Sequence, residues 1–410
     1  MLDNTDTPLA TESDLTERSL VNWVDRLLHR AIGTGASDIH IEPFEASGRI
    51  RLRYDGLLHE TENPPAALMG RISARLKVMA QLNIAEKRLP QDGRLRAGLP
   101  GGKNVDFRLS ILPTLWGEKL VLRVLDPGAG KLSLDNLGFD AQQLRQFTTA
   151  LEQSQGLILV TGPTGSGKTI TLYSGLDLIN RPQRNIASAE DPIEMQLDGV
   201  NQVAVNMRLG LDFASILRAF LRQDPDVLMV GEIRDGETAE IAVKAGQTGH
   251  LVLSTLHTKS ASESLNRLIN MGVPGFNLAT GLSLIIAQRL LRRLCDRCKQ
   301  RARYPSAALV EAGFPPGQIP ELKLYRAVSC HHCHDGYRGR IGIYEVIPIT
   351  EPLAKLIMRG SDTLEFAAAA KAAGFKNLRH AALRKVAQGQ TSLEEANRLT
   401  SGSPDCIEIP

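Results

Sequence analysis

Gly162-Pro163-Thr164-Gly165-Ser166-Gly167-Lys168-Thr169 fills every fixed position of a phosphate-binding loop, G-x-x-x-x-G-K-[ST]. The run before it, Gly156-Leu157-Ile158-Leu159-Val160, is apolar and strand-like, and the run after it, Ile170-Thr171-Leu172-Tyr173, suits a helix. Strand, glycine-rich turn and helix is the order that lets backbone N–H groups close around phosphates at a helix N-terminus. In that frame Lys168 reaches the β- and γ-phosphates and the Thr169 hydroxyl holds Mg²⁺. The stretch predicts that the chain binds a nucleoside triphosphate.

Three further strand-like runs end in polar residues. Asn185–Ala189 leads into Glu190-Asp191-Pro192-Ile193-Glu194, Asp226–Gly231 into Glu232-Ile233-Arg234-Asp235, and Leu251–Leu256 into His257-Thr258. In open parallel sheets ligands sit at the carboxyl ends of strands, so these tips are expected to gather beside the phosphate loop. Glu232 is the candidate for polarising the attacking water, and with Thr169 it is a candidate for Mg²⁺. Gly231 precedes it where many such loops carry Asp, so the supporting carboxylate is sought in Glu190, Asp191 or Glu194. His257, at the carboxyl end of its strand, is the better γ-phosphate sensor; His250 flanks the same strand and is a second candidate. Arg218 and Arg222 lie four apart on a predicted helix leading into Gln223-Asp224-Pro225, where like charges are mildly unfavourable unless an anion pairs with them.

Working outward, 1–30 reads as a polar tail and a helix that runs from about Glu17 to Ile32, with Leu20, Val24, Leu27, Leu28 and Ile32 on one face. Residues 31–125 read as a small α+β domain, with Asp55-Gly56 as a turn and strands joined at Gln91-Asp92-Gly93 and Pro100-Gly101-Gly102. Arg88, Arg94, Arg96 and Arg108 lie around its Asp-Gly turns and are arginine-finger candidates. A linker at 126–133 precedes alternating strands and helices over 134–290, the pattern of a mostly parallel sheet in an α/β fold. Residues 346–410 read as helical. No residue from 268 to 288 is charged, yet Asn270, Pro274, Gly275, Asn277 and Gly281 make a buried helix pair the expectation there, not a membrane span. The first residues lack the charged and apolar regions of a signal peptide. Formal net charge is +3, too small to imply a polyanionic partner by itself.

Cys295-x-x-Cys298 and Cys330-x-x-Cys333 are separated by 31 residues. Each pair bites one metal from a tight turn, the spacing of a tetrahedral Zn²⁺ site in the segment 291–345. A redox role for either pair and unmetallated buried thiols are the alternatives, and His331, His332 and His334 stand close enough in sequence to substitute as ligands. The insert is long enough for a short helix of its own. Cys406 carries no signal.

Together these motifs resemble the secretion ATPase superfamily, of the type II secretion and type IV pilus assembly kind. The matching stretches are Ala36-Ser37-Asp38-Ile39-His40-Ile41-Glu42-Pro43, Arg88-Leu89-Pro90-Gln91-Asp92-Gly93-Arg94, the phosphate loop, Glu190–Glu194, Leu221–Asp226, Gly231–Asp235, Gly249-His250 through His257-Thr258, and the Cys pairs with Gly336-Tyr337-Arg338-Gly339-Arg340. The resemblance implies a RecA-like ATPase core after a small PAS-like α+β domain, with a zinc segment and helices following. It implies ATP, Mg²⁺ and Zn²⁺ as ligands, and a homo-hexamer peripheral to the cytoplasmic side of the inner membrane. A membrane platform protein would turn domain motion into growth of a pilus or pseudopilus. Arg94 and Arg108, with Arg218 and Arg222, match arginines that face the γ-phosphate. The tetracysteine segment resembles assembly members; retraction members lack it. Only about 30 residues precede the first domain, fewer than the family's usual docking domain.

Two other readings compete. RecA-like hexamers also move nucleic acid, and Arg289–Arg303 is basic, but it carries only Tyr304 at its end for base stacking; no nucleic-acid partner is expected. A nucleotide-binding scaffold without hydrolysis conflicts with intact Lys168, Thr169 and Glu232. No Asn-Lys-x-Asp segment marks a GTPase.

Overall fold

The computed structural model describes residues 17–98, 104–125 and 133–400. The polar tail, the Pro100-Gly101-Gly102 turn, the linker residues 126–132 and Cys406 lie outside the described residues. The chain forms two compact units, Met1–Gly130 and Lys131–Pro410.

In the first unit, α1 (Glu17–Gly33) buries Leu20, Trp23, Val24, Leu27, Leu28 and Ala31, one stripe at helical spacing. β1 (Asp38–Pro43), β2 (Gly48–Tyr54), β3 (Leu57–Glu62), α2 (Ala66–Met79), β4 (Gln91–Gly98), β5 (Asn104–Thr114) and β6 (Gly117–Leu125) follow. Their sheet has the order β3-β2-β1-β6-β5-β4, with every pairing antiparallel. Period-2 alternation sends Ile39, Ile41, Ile50, Leu52, Phe107, Leu109, Leu120 and Leu122 into the core with the α1 and α2 stripes. The other face is polar. Asp55 and Gly56 both take positive φ, as a tight hairpin requires. Gln91-Asp92-Gly93, expected as a strand joint, instead opens β4 and pairs with Ile111, Ser110 and Leu109. A Cβ on Gly93 would meet Leu82 at 3.1 Å, so this glycine serves close packing and not chain reversal.

The second unit is a three-layer α/β structure. Its elements are α3 (Ala141–Leu151), β7 (Gly156–Thr161), α4 (Lys168–Ile179), β8 (Ile186–Glu190), β9 (Asn201–Ala204), α5 (Phe213–Phe220), β10 (Val227–Val230), α6 (Gly236–Gln247), β11 (Leu251–Leu256), α7 (Ala261–Asn270), α8 (Gly275–Gly281) and β12 (Leu282–Leu294). Then come β13 (Gln300–Arg301), α9 (Ser306–Ala312), β14 (Tyr325–Arg326), β15 (Tyr337–Pro348), α10 (Glu351–Met358), α11 (Thr363–Ala372), α12 (Leu378–Ala387) and α13 (Leu393–Leu399). The sheet order is β15-β12-β7-β11-β10-β8-β9; all neighbours are parallel except β12 and β15. One face packs on α5, α6, α7, α8, α10 and α11, the other on α3 and α4.

The expected helix pair within 268–288 is corrected: the stretch holds the end of α7, which stops at Asn270, and one helix, α8, while residues from Leu282 onward form β12, paired in parallel with β7. The sheet also claims both ends of the segment expected over 291–345, since β12 runs to Leu294 and β15 starts at Tyr337. α9 is the short helix expected between the Cys pairs.

Candidate active site

The strand ends gather because β7, β11, β10 and β8 are parallel neighbours, so Gly162, His257, Gly231 and Asp191 all leave the same edge. Gly162 and Gly167 take φ +153 and +86, and Cβ atoms there would meet the Gln288 carbonyl at 2.5 Å and its Nε2 at 2.9 Å. Only glycine lets the loop lie this tightly on β12. Lys168 opens α4. Its Nζ donates to the carbonyls of Gly162 (2.9 Å) and Pro163 (3.1 Å), at the mouth of the loop. Burial pushes its pKa down to about 8, Arg289 pushes the same way, and Glu232 opposes them. Thr169 is half-buried and adjacent.

Glu232 stands beside the loop in a connected set. His257 Nε2 lies 3.2 Å from one carboxylate oxygen, Arg234 donates to the other, and Arg234 Nη1 reaches Asp191 at 3.2 Å. Burial alone would raise the Glu232 pKa, but the Arg234 hydrogen bond and charge, with His257, outweigh it and hold the carboxyl below its usual range. The Thr255 hydroxyl donates to Gly231 O at 2.8 Å, and the Ile233 N–H to Thr255 O at 3.0 Å, fixing this turn on β11. Asp235 caps α6 through the Thr238 N–H.

Other sequence candidates are placed differently. Glu190 is buried and accepts from Tyr173, Ser188 (2.6 Å) and Gln202 (3.0 Å), so both its oxygens are occupied. Glu194 is exposed four residues on. His250 precedes β11, and its carbonyl accepts from Gly156 N at the start of β7; it sits at the opposite edge of the sheet from the phosphate loop. Arg218 and Arg222 do not share a helix, because α5 ends at Phe220. Arg218 pairs with Glu237, and Arg222 donates to the Arg218 carbonyl at 2.7 Å. In the first unit Arg88 pairs with Glu86 and Arg96 with Asp106. Arg94 and Arg108 are exposed and directly opposed in register, and Arg108 in turn opposes Arg123. No carboxylate of the described residues lies within ion-pair distance of Arg94 or Arg108. Arg123 is paired with Asp38 at 3.1 Å; like charges facing across strands are unfavourable, which leaves Arg94 and Arg108 suited to an anion.

The four paired cysteines converge. Cys295 and Cys330 sulfurs lie 4.0 Å apart, Cys298 and Cys333 3.6 Å, and Cys330 and Cys333 3.6 Å. All four lie within 4.8 Å of one another. Tetrahedral Zn–S bonds of about 2.3 Å put sulfurs about 3.8 Å apart, so the donor set fits one Zn²⁺. Among the described residues the group comprises these cysteines alone; His331 lies against His332 with the rings tilted, and His332 bonds Arg297.

Sequence reasoning missed Gln288. Its buried amide donates to Ser166 O at 2.7 Å and accepts from the Thr171 hydroxyl at 2.8 Å, clasping the phosphate loop from β12. Arg123, Arg234, Thr258 and Arg289 were likewise not singled out. Thr258 ties the His257 turn to β7 through the Thr161 hydroxyl, 2.5 Å away.

A profile of the family described as Type II/IV secretion system protein matches residues 14–398. The type IV pilus assembly ATPase PilB of Pseudomonas aeruginosa is 54% identical over 388 residues, 95% of this chain and 69% of that protein. The type II secretion system ATPase E of Vibrio cholerae is 46% identical over 387 residues, 94% of this chain and 76% of that one. Among solved structures, the pilus retraction motor PilT with bound ADP superposes with a TM-score of 0.60 at 26% identity, covering 92% of this chain and 97% of that one.

Proposed function

The chain belongs to the Type II/IV secretion system protein family, and from that membership we propose that it is an ATPase that couples hydrolysis to assembly of a type IV pilus or of a type II secretion pseudopilus. The observation that carries this is the meeting of Lys168 with the Glu232–His257 pair at one edge of a parallel sheet. The backbone of Gly162–Thr169 cradles the triphosphate, and Lys168 leaves its two carbonyls for the phosphate oxygens. Thr169 and Glu232 are the residues that would hold Mg²⁺, which would neutralise phosphate charge. Glu232, ionised at neutral pH, orients the attacking water, and His257 fixes the carboxylate and faces the leaving phosphate. Arg234 and Asp191 position Glu232. Glu190 braces the β8 tip through Tyr173, Ser188 and Gln202.

By the same reading the first unit is PAS-like and the seven-stranded sheet is the RecA-like core. Arg94 and Arg108 contribute charge to phosphoryl transfer in a homo-hexamer, with Arg123 beside them held by Asp38. Cys295, Cys298, Cys330 and Cys333 hold one structural Zn²⁺. The protein works at the cytoplasmic face of the inner membrane against a platform protein; among the described residues no helix is long and apolar enough to cross a membrane. The nucleic-acid reading is disfavoured because the basic stretch is largely spoken for. Arg292 pairs with buried Glu395, and Arg293 and Lys299 pair with Asp296.

Phosphate release from ATP tests the proposal. The purified chain is expected to turn over ATP, and Lys168→Ala to abolish both turnover and most nucleotide binding. ATP turnover absent from the parent, or unchanged in Lys168→Ala, would reject it.

A further inference from the structure

β12 brings a second cation to the phosphate loop. Arg289 follows the clasping Gln288 and is half-buried. A Cβ added to Gly162 would stand 3.2 Å from Arg289 Nη1, so the guanidinium lies against the loop's first residue. Lys168 Nζ donates to the carbonyl of that same residue. The two cations therefore flank Gly162. Arg289 donates only to backbone carbonyls, Gln288 at 2.8 Å and Lys259 at 2.7 Å. No carboxylate of the described residues lies within ion-pair distance of it; Glu263 and Glu345 act on it only from farther off. A partly buried guanidinium without a counter-charge is costly. So is its closeness to the Lys168 ammonium on the other side of Gly162.

An anion carrying two or more charges at the mouth of the loop would offset both costs. Guanidinium offers five N–H donors, of which the two carbonyl bonds use two. The Lys259 carbonyl it holds follows His257 and Thr258 and immediately precedes the Ser260 cap of α7. One side chain thus touches both the phosphate loop and the turn whose histidine meets Glu232.

We propose that Arg289 is a further residue of the active site, a same-chain arginine that binds the terminal phosphate of the nucleotide and separates the triphosphate from the diphosphate. This rests on the ATPase reading above. Lys168 serves both nucleotides, whereas Arg289 gains its counter-charge chiefly when the third phosphate is present. Its grip on Lys259 O links that contact to the His257 turn.

The test uses the full chain with Arg289→Gln, which keeps a donor for the Lys259 carbonyl but removes the charge, and Arg289→Lys, which keeps the charge. Steady-state turnover, binding of a fluorescent ADP and of a non-hydrolysable ATP analogue, and melting temperature are measured for each. Arg289→Gln is expected to hold ADP within about twofold, weaken the ATP analogue about tenfold or more, and lower kcat about 10²-fold. Arg289→Lys is expected to recover part of both losses. Equal weakening of ADP and ATP analogue together with a lowered melting temperature would overturn the proposal in favour of a backbone clamp. Unchanged discrimination and kcat would overturn it too. If Lys168→Ala also leaves phosphate release intact, the ATPase reading itself fails and takes this inference with it.

Discussion

Lys168 shows how much of the chemistry rests on single side chains and their solvation. Its ammonium is poised near pH 8 because burial disfavours the charged form before any phosphate arrives. A phosphate raises that pKa again, so binding takes up a proton wherever free Lys168 is neutral. Affinity for ADP or ATP is therefore full below about pH 8 and falls as pH rises through it. Titrations at about pH 7 and about pH 9.5 check the sign; affinity constant or rising over that span would contradict it. At this scale the phosphate loop, Glu232 and His257 were legible, because each is a local word on a predicted strand end. Gln288 and Arg289 were not. Gln288 meets Ser166 across 122 residues of sequence, and only the parallel register of β12 on β7 brings them together.

Among elements, β12 is the instructive failure. A central strand buried on both faces loses the polar–apolar alternation that marks strands, and its apolar run reads equally as a buried helix. Pro274 and Gly275 correctly broke the run, but nothing local gave the part after Gly281 to the sheet. The two Cys pairs were legible for the opposite reason, since their spacing is a geometric requirement of one metal. What the spacing could not tell is that β12 and β15, neighbours in the main sheet, bring the pairs together: Cys295 follows β12, and its N–H donates to Gly336 O at the entry to β15. A metal there would staple that strand pair. Purified protein is expected to contain about one zinc per chain, and Cys295→Ser with Cys298→Ser to lose it with a lowered melting temperature. Absence of metal in the parent, or full stability of the double variant, would remove the zinc from the account.

For the whole molecule, two units have separate cores: one carries the phosphate loop, the other a row of arginines. The row was half legible. The turns around Arg94 and Arg108 mark them in the sequence, whereas Arg123 joins them only through the β5–β6 register. Positive charge supplied to a departing phosphoryl group is worth about 10³–10⁵ in rate in related systems. Arg108→Ala is therefore expected to bind ATP nearly as the parent does and to lose most turnover, and parent activity per chain to climb with protein concentration as rings form. Turnover indifferent to both would leave the oligomeric part without support. The central claim, that this chain hydrolyses ATP with Glu232 orienting the water, is tested most directly by Glu232→Gln, which keeps the shape and removes the charge. ATP binding and phosphate release are measured on the same preparation: the account predicts binding within about threefold of the parent and turnover lower by about 10²–10⁴-fold, and near-parental turnover would contradict it.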